Sequence, residues 1–448
     1  MKKNKVLLLI TACVLTLGVL VACGRNNAND NVEVPPAGIE RPTPQPITPD
    51  QIDVIELTFW HAMTGDHETA LDNLVNDFNA QHPHIHVSHE FQGNYTELNQ
   101  SLVSAAVAGR LPNMAQAVTD TVTTYMNDGI IVPLTPFFNQ TFSQDEINDI
   151  VEVFREGVIW DGEFMSVPFG KSTRVLFYNL DLFEEYGIER APQTWDELIE
   201  ISNILKDESV GRFGMGFENG WAAEFIALTI QHGGEYIDEA SATAHFGGPE
   251  GIAAAEFVMG LYNDGVARFA GEDNFLSGVF GAGNVAMYIG SSAGLPHVTS
   301  AVGGDFEWAT APLPTYNGNA ASRFQGNDIV LFDNGASEAE KQAAWEFMAF
   351  TLRPEVTSLW AAQSGYIPVT YAGRLHPNWT NHIEARPYAS AAAEQFDAGF
   401  MTARLSGASQ VWTILGEELT NVRLGLYDTE TALTRAQERA QAALDAGR

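Results

Sequence analysis

The sequence is 448 residues long, with 45% hydrophobic residues and a formal net charge of −34. At about 100 to 200 residues per domain, this length predicts two or three domains with real hydrophobic cores. The strongly acidic balance argues against nucleic acid and anionic membrane surfaces as partners, because every phosphate contact needs a local cation.

The N-terminus has the pattern of a bacterial lipoprotein signal. Three lysines precede an apolar run, Val6–Ala22, and Leu20-Val21-Ala22-Cys23 matches the lipobox. The run is at the short edge of the roughly 17 to 25 residues that span a bilayer, so we favour cleavage over a membrane anchor. The sequence thus predicts a signal peptide at residues 1–22, lipidation of Cys23 and localisation at the extracytoplasmic face of the cell membrane.

Residues 23–52 are predicted to form a tether. Polar residues come first and six prolines follow between positions 35 and 49, with almost no apolar side chains to bury. The only other cysteine, Cys13, lies in the predicted signal, so the mature chain has no thiol free to form a disulfide.

The first predicted globular elements are a strand, a helix and a second strand. Val54–Trp60 and His84–Phe91 read as strands, and between them Leu71, Leu74, Val75 and Phe78 recur at helical spacing. Such a unit brings the loops after both strands to one carboxyl edge, where ligands of open α/β sheets bind. A helix over Leu98–Ala108 and a strand over Met114–Val118 bring Asp120 to the same edge.

Val167–Tyr178 has the β-branched and aromatic content of a strand, and Pro168 and Gly170 interrupt its start. This is the composition expected of a connection between lobes. Thr194 and Glu197 predict a reciprocal capping box that starts a helix. The remaining signals predict helices over Glu224–Gln231 and Gly251–Tyr262, strands over Gly283–Ile289, Trp308–Leu313 and Ile329–Phe332, and a helix that Ser337 and Glu340 cap and that ends before Pro354.

Several motifs together resemble the family 1 extracellular solute-binding proteins of ABC importers. They are Tyr178-Asn179-Leu180-Asp181-Leu182-Phe183, Pro192-Gln193-Thr194-Trp195-Asp196-Glu197-Leu198, Phe59-Trp60-His61-Ala62-Met63, Gly93-Asn94-Tyr95, Phe280 with Ala286-Met287, and Ser364-Gly365-Tyr366-Ile367-Pro368. They follow the family order over nearly the whole mature chain. Within the family, the sequence looks most similar to the glycerol-3-phosphate-binding branch, whose relatives include many sugar binders.

The resemblance implies an α/β, two-lobed periplasmic-binding-protein-like fold of type II, with the ligand cleft between the lobes. Residues 53–168 plus 310–353 would form lobe 1, and residues 169–309 plus 354–448 would form lobe 2. Hinge crossings are expected near Phe169, Ala309 and Arg353. The chain would be a monomeric receptor that delivers its ligand to the transmembrane subunits of an ABC permease.

The predicted ligand site combines two arguments. Flat rings in loop stretches suit the apolar faces of sugars, which singles out Tyr95, Trp221, Tyr366 and Trp412. By resemblance, the contacts of the glycerol-3-phosphate branch map onto Tyr95, Ser172, one of Ser291 and Ser292, Gly326 and Tyr366. The full predicted set is His61, Tyr95, Asp120, Ser172, Trp221, Ser291, Ser292, Gly326, Asn327, Tyr366 and Trp412.

Two positions depart from that branch and bear on the ligand class. Thr119 and Asp120 stand where the branch has a glutamate, and Trp412 aligns with its phosphate-pairing arginine. Losing a cation and gaining a stacking face favours a neutral sugar, and we expect an oligosaccharide. Lys171, Arg174 or Arg323 could still supply a cation, so glycerol 3-phosphate or a glycerophosphodiester stays an alternative.

No cofactor, metal or catalytic residue is predicted. Gly170-Lys171-Ser172-Thr173 copies the end of a P-loop, but Met165 occupies the position of its first glycine and a strand-like run follows. His82, His84, His86 and His89 could bind a metal, although alternation in a strand places them toward water. A secreted carbohydrate-active enzyme is the alternative from another class, and its two carboxylates cannot be recognised among 57 acidic residues.

Overall fold

The computed structural model describes residues 54–271 and 274–447. The predicted signal peptide, Cys23 and the tether lie outside the described residues. Within them, no helix is long and apolar enough to cross a membrane.

The fourteen strands of the described chain are β1 (Ile55–His61), β2 (Ile85–Phe91), β3 (Met114–Val118), β4 (Ile159–Trp160), β5 (Glu163–Phe164), β6 (Val167–Asn179), β7 (Met215–Phe217), β8 (Ile237–Asp238), β9 (Thr243–Ala244), β10 (Ala267–Phe269), β11 (Met287–Ser291), β12 (Trp308–Ala311), β13 (Ser322–Leu331) and β14 (Gly399–Phe400).

The α-helices of the same residues are α1 (Asp66–Gln81), α2 (Tyr95–Val107), α3 (Thr119–Asn127), α4 (Thr135–Thr141), α5 (Gln144–Asp149), α6 (Glu152–Glu156), α7 (Leu180–Glu185), α8 (Trp195–Leu205), α9 (Ala222–Gln231), α10 (Pro249–Asn263), α11 (Ser277–Gly281), α12 (Leu295–Val302), α13 (Glu338–Thr351), α14 (Pro354–Ser364), α15 (Tyr371–Leu375), α16 (Pro377–Ala385), α17 (Ala408–Arg423) and α18 (Thr429–Ala446). Short 3-10 helices cover Ser292–Gly294, Pro387–Ala389 and Ala393–Ala398.

One large sheet organises the fold. Its strand order is β10-β7-β11-β6-β13-β3-β1-β2, with β12 also pairing with β6 and β14 with β13. The strands β1, β2 and β3 are mutually parallel, as are β7, β10 and β11, whereas β6 and β13 pair antiparallel in the middle. The two long central strands therefore connect two parallel α/β segments.

The strand β6 pairs first with a strand of one segment and then with a strand of the other. Its first half pairs with β13, and residues from Arg174 onward pair with β11 instead. Two hydrophobic clusters flank it: Val175 and Phe177 pack in one, together with β1, β3, α1 and α13, while Leu176 packs in the other, with α8, α9, α10, α17 and α18. Because successive side chains of a strand point to opposite faces, one strand supports both cores.

The predicted elements are largely confirmed, but the strand predicted over Ile329–Phe332 is Ser322–Leu331. Two other predictions differ as well. Thr194 Oγ1 accepts from the Glu197 backbone N–H (3.2 Å), as the capping box predicts. The Glu197 carboxylate, however, interacts more strongly with Arg190 and with the Gln193 backbone N–H (2.8 Å) than with the Thr194 backbone N–H. The reciprocal half of the capping box is therefore weaker than predicted, because a nearby arginine competes for the carboxylate. The strand predicted over Gly283–Ile289 is Met287–Ser291, so it begins later and includes Ser291.

Candidate functional site

The first group of predicted site residues lies where β13 passes the start of α2. Asn327 Nδ2 donates to the Tyr95 hydroxyl at 2.8 Å, and Tyr95 also shares a hydrogen bond with Tyr366. Burial raises the pKa of both phenols, so the hydroxyls stay protonated. Asn327 Oδ1 has no hydrogen-bond partner. The amide nitrogen of Asn327 and the two phenols thus form one hydrogen-bonded group, and the amide oxygen is left without a partner.

Two glycines make this close approach possible. A Cβ on Gly170 would lie 2.6 Å from Asn327 Nδ2. Gly326 has φ +124, a conformation that side chains rarely adopt, and its Cβ would lie 1.9 Å from the Gly170 carbonyl oxygen. Gly326 therefore acts through its backbone, by letting β13 and β6 pair at this point.

The predicted serines form a second group one step along β6. Ser291 Oγ lies 3.3 Å from Ser172 Oγ, and Ser292 Oγ accepts from the Thr173 backbone N–H at 3.4 Å. Ser172 and Ser292 are buried, and Ser291 is half-buried. The structure brings these three residues together at the junction of β6 and β11, and it leaves the Ser291 hydroxyl partly accessible.

Trp221 is a core residue as well as a candidate ligand contact. Only 1% of its surface is exposed, and its ring lies 5.8 Å from that of Phe269. Its indole Nε1 is buried without a hydrogen-bond partner. A loop position rich in glycine and asparagine suggested an exposed ring, but Trp221 starts α9 and packs beneath it.

Trp412 carries a cation on its face. The Arg323 guanidinium carbon lies 4.1 Å from the centre of the indole ring, and Arg323 also donates to Gln325 Oε1 (3.0 Å) and to the Thr402 hydroxyl. The family resemblance places Trp412 where the glycerol-3-phosphate branch has an arginine, which predicts a loss of charge at this position. The structure places Arg323, from β13, against the Trp412 ring, so a cation is present beside it and the argument from a lost charge does not hold.

Around these residues lies a charged cluster, defined here as Arg174, Arg323, Asp120, Glu218 and Glu224. Arg174 Nη1 lies 2.6 Å from Glu218 Oε2, and Arg174 Nε lies 3.0 Å from Glu224 Oε1. Burial disfavours the charged form of Arg174 and by itself would lower its pKa. The charges of Glu224 and Glu218 together have the larger effect, so the pKa of the guanidinium is raised. Burial raises the pKa of both glutamates, and Arg174 counteracts it.

In the other half of the charged cluster, Asp120 and Arg323 interact electrostatically. Burial raises the pKa of Asp120, and the charge of Arg323 counteracts it. Burial likewise lowers the pKa of Arg323, against the charges of Asp120, Tyr236 and Glu224. Asp120, in the first turn of α3, thus acts on Arg323 of β13 and on Tyr236. Such a cluster, bordered by Trp221 and Trp412, can donate to and accept from the hydroxyl groups of a small polar molecule.

His61 lies apart from these groups. It is fully buried at the end of β1, where its Nδ1 accepts from the Met63 backbone N–H at 3.1 Å. Its Nε2 lies 3.0 Å from His89 Nδ1, and His89 Nε2 lies 2.9 Å from Asp72 Oδ1. Because Nδ1 is an acceptor, Nε2 carries the proton, and the row His61–His89–Asp72 is satisfied with His61 neutral. The geometry gives His61 a structural place instead of a ligand contact.

Acid should destabilise the protein through His61. Burial, followed by the charge of His89, lowers its pKa from 6.5 to about 4. Between these values the unfolded chain binds a proton that the folded chain does not, so stability is complete above pH 6.5 and is lost as pH falls. In the variant His61→Asn, the free energy of unfolding should fall by about 3 kcal/mol less than in the wild type between pH 7 and pH 4. Urea unfolding at pH 7 and pH 4 measures it, with the exposed His86→Gln as control, and parallel profiles for wild type and His61→Asn would contradict it.

The other histidines of the β2 region do not converge. His82 stacks on Phe78 at 4.1 Å, and His84 lies 3.6 Å from Glu346. Among the residues described, no three or more His, Cys, Asp or Glu side chains are arranged to hold a metal ion.

Two surface cavities lie elsewhere, and none of the predicted ligand-binding residues lines either. One is a groove of about 840 Å³ beside Trp60, Glu97 and Arg110, and the other, of about 570 Å³, lies between α6 and the segment around Arg404. The predicted site is closed over by its own side chains, because Ser172, Asn327 and Tyr366 are all at most 5% exposed.

Sequence analysis missed Glu218, Glu224 and Tyr236. A signal existed for Glu218, because it directly follows β7, at the carboxyl edge where α/β ligands bind. Glu224 lies within a helix of a chain with 57 acidic residues, so nothing in the sequence distinguishes it.

Comparisons with known proteins agree with this architecture. The model of the family described as bacterial extracellular solute-binding protein matches residues 73–387. The sn-glycerol-3-phosphate-binding periplasmic protein UgpB of Shigella flexneri is 26% identical over 86% of this chain and 92% of that protein. UgpB from Mycobacterium tuberculosis, solved with glycerophosphocholine, has a TM-score of 0.77 at 24% identity, over 87% of this chain and 98% of that one. Lmo0181 from Listeria monocytogenes, solved with cycloalternan, has a TM-score of 0.77 at 19% identity, over 88% of this chain and 100% of that one.

Proposed function

Because the chain belongs to the bacterial extracellular solute-binding proteins, we propose that it captures a neutral carbohydrate between its two lobes and delivers it to a membrane permease. The family makes it a solute-binding receptor of ABC importers with the two-lobed fold of periplasmic binding proteins. The carbohydrate, its capture by closure and the anchoring of the receptor are the proposal.

The charge of the cleft supports a neutral ligand. The charged cluster holds two arginines against three carboxylates, and Arg174 already contacts two of these. A phosphate ester would enter a site whose cations are engaged, in a chain of net charge −34. Carboxylates and amides accept hydrogen bonds from sugar hydroxyls, and aromatic rings such as those of Tyr95, Tyr366 and Trp412 suit the apolar faces of sugars. This combination is the observation that carries the proposal.

The lobes are proposed to move about the central strands. Residues 53–168 plus 310–353 would form lobe 1 and residues 169–309 plus 354–448 lobe 2, with hinges near Phe169, Ala309 and Arg353. A ligand favours the closed form only through contacts that it makes to both lobes at once. Asp120 would supply the contacts of one lobe. The contacts of the other would come from Ser172, Ser291 and the rings of Trp221 and Trp412.

Glycerol 3-phosphate or a glycerophosphodiester is the second candidate, and one observation favours it. Arg323 lies against Trp412, the residue that stands where the glycerol-3-phosphate branch has its phosphate-pairing arginine. Two of the similar proteins are named for sn-glycerol 3-phosphate or were solved with glycerophosphocholine. If Asp120 gave way to a phosphate, Arg323 could pair with it.

A thermal-shift screen of the purified chain decides between the candidates. The panel holds mono-, di- and trisaccharides, glycerol 3-phosphate and glycerophosphocholine. A ligand at about 100 times its dissociation constant adds roughly 2.7 kcal/mol to stability. We expect a shift with a sugar. A shift with the phosphate esters alone would replace the first candidate by the second, and hydrolysis of an oligosaccharide during the assay would favour an enzyme over a transport receptor.

The receptor is further proposed to be a monomer held on the extracytoplasmic face by lipid on Cys23, and to work without a cofactor or catalytic residue. The variant Cys23→Ser should block lipidation and leave an uncleaved or mislocalised precursor, because the acylated thiol is the anchor. Fractionation and intact mass measure this, with Cys13→Ser as the matched control that should fractionate as wild type. Normal processing and membrane association of Cys23→Ser would remove the lipoprotein assignment.

A further inference from the structure

The N-cap and first turn of α9 carry two buried polar side chains whose hydrogen-bonding capacity is only partly used. Trp221 and Glu224 are each 1% exposed. Trp221 Nε1 has no hydrogen-bond partner, and neither oxygen of Glu224 accepts a hydrogen bond from another described side chain. The Glu224 carboxylate interacts with its own backbone N–H and forms an ion pair with Arg174 at 3.0 Å. One donor and one acceptor are thus left available, three positions apart on one helix.

The surroundings of Glu224 explain why the protein does not satisfy it internally. Arg174 directs its Nη1 to Glu218 (2.6 Å) and its Nη2 toward the Gly220 carbonyl (3.5 Å), so it offers Glu224 only its Nε side. The charge of Arg323, on β13, also acts on Glu224. Glu224 therefore faces the interior of the charged cluster, among the predicted ligand contacts.

Leaving such a group unsatisfied is costly. A buried acceptor without a partner loses about 1 to 3 kcal/mol, and a charged one loses more. Glu224 cannot turn to solvent, because α9 is packed in the second hydrophobic cluster through Ala222, Phe225 and Ile226. A buried polar group that the protein leaves unsatisfied calls for an explanation, and a polar ligand atom that completes it is one.

We propose that Glu224 is a ligand-contacting residue that accepts a hydrogen bond from a ligand hydroxyl, while Trp221 Nε1 donates to a neighbouring ligand oxygen. This rests on the proposed receptor function and specifies its ligand class. Adjacent hydroxyls of a sugar provide both a donor and an acceptor, which matches the pair on α9. The hydroxyls of glycerol 3-phosphate can also donate to Glu224, but its phosphate carries close to two negative charges, which that carboxylate repels. Glu224 thereby selects neutral polyols against phosphate esters.

The test is calorimetry of the full mature chain with maltose, maltotriose and sn-glycerol 3-phosphate, for wild type and Glu224→Gln. The amide keeps the shape of the side chain but removes its charge. Affinity for the bound sugar should fall about tenfold or more, as expected for a hydrogen bond to a charged group, and affinity for glycerol 3-phosphate should rise. The unliganded variant should melt at or above the wild-type temperature, because Arg174 keeps Glu218 as its partner and the repulsion between Glu218 and Glu224 is removed.

Glu218→Gln is the matched control. Glu218 also pairs with Arg174, but its Oε2 accepts a hydrogen bond from that residue. If both variants change sugar affinity equally, Glu224 acts only by positioning Arg174, and the proposal is overturned. Wild-type sugar affinity in Glu224→Gln also overturns it and leaves the receptor function intact. No binding of any sugar by the wild type would instead remove the proposed ligand class, and this inference with it.

Discussion

Replacing Asp328 by alanine is expected to lower the free energy of unfolding by about 3 to 5 kcal/mol, the cost of leaving a buried charge without its partner. Lys171 Nζ lies 2.6 Å from Asp328 Oδ1, and both side chains are completely buried between β6 and β13. Burial raises the pKa of Asp328, and Lys171 counteracts it. Without Asp328 the ammonium group would remain in the centre of the sheet with no counter-charge.

Urea unfolding measures this for Asp328→Ala, for Lys171→Met and for the double variant Lys171→Met/Asp328→Leu. The double variant should recover most of the loss, because apolar residues of similar size often replace a buried ion pair at little cost. If Asp328→Ala unfolds at the same urea concentration as wild type, the ion pair does not hold the central strands together. The arrangement is notable because these are the strands about which the lobes are proposed to move.

The second large effect is expected for Gly326→Ala, which should cost at least about 3 kcal/mol or prevent folding. The added Cβ would lie 1.9 Å from the Gly170 carbonyl oxygen, and backbone at φ +124 is strained for any side chain. The clash falls on backbone, so no side chain can move aside to relieve it. The pairing of β13 with β6 would have to separate at the site itself.

Gly335→Ala is the matched control for this variant. Gly335 also has positive φ, at +82, but no atom lies within 4 Å of the added Cβ. It should therefore show strain alone, about 1 to 3 kcal/mol. Unfolding experiments on both variants compare the two costs. Equal destabilisation would mean that the close approach of Gly326 to Gly170 adds nothing beyond backbone conformation.

The strands and helices were predictable wherever a local pattern dictated them. The apolar stripe through Leu71, Leu74 and Phe78 and the run Met114–Val118 lie in the structure at the predicted places, because burial of one face leaves a periodic signal. The motif resemblance predicted the family and the two-lobed fold, and both are confirmed. The start of β11 was wrong, since the turn before it is also apolar.

The site was predictable only in part, because its chemistry depends on contacts between distant segments. Tyr95 and Tyr366 come from motifs, Asn327 belongs to the same predicted set, and the three do meet through hydrogen bonds. His61 was named by the same reasoning but is engaged by His89. The position of Arg323 over Trp412 links residues 89 positions apart, and no sequence spacing indicates that contact.

Trp221 shows how burial changes the design of an experiment. From the sequence, alanine at this position should weaken ligand binding by about 2 kcal/mol and leave folding nearly intact. In the structure the ring is 1% exposed and packs against Phe225 and Phe269, so truncation also removes core packing worth about 3 to 5 kcal/mol. Substitutions that keep the volume, such as Glu224→Gln nearby, are therefore the better probes of the site.

The central claim is that this chain binds one neutral carbohydrate in the cleft bordered by the charged cluster. The most direct test is isothermal calorimetry of the purified mature chain with the sugar that gives the largest thermal shift, followed by recovery of that sugar. We predict one sugar molecule bound per chain, released chemically unchanged, with glycerol 3-phosphate binding more weakly. Binding of glycerol 3-phosphate with no heat from any sugar would contradict the claim and assign the cleft to phosphate esters held by Arg323.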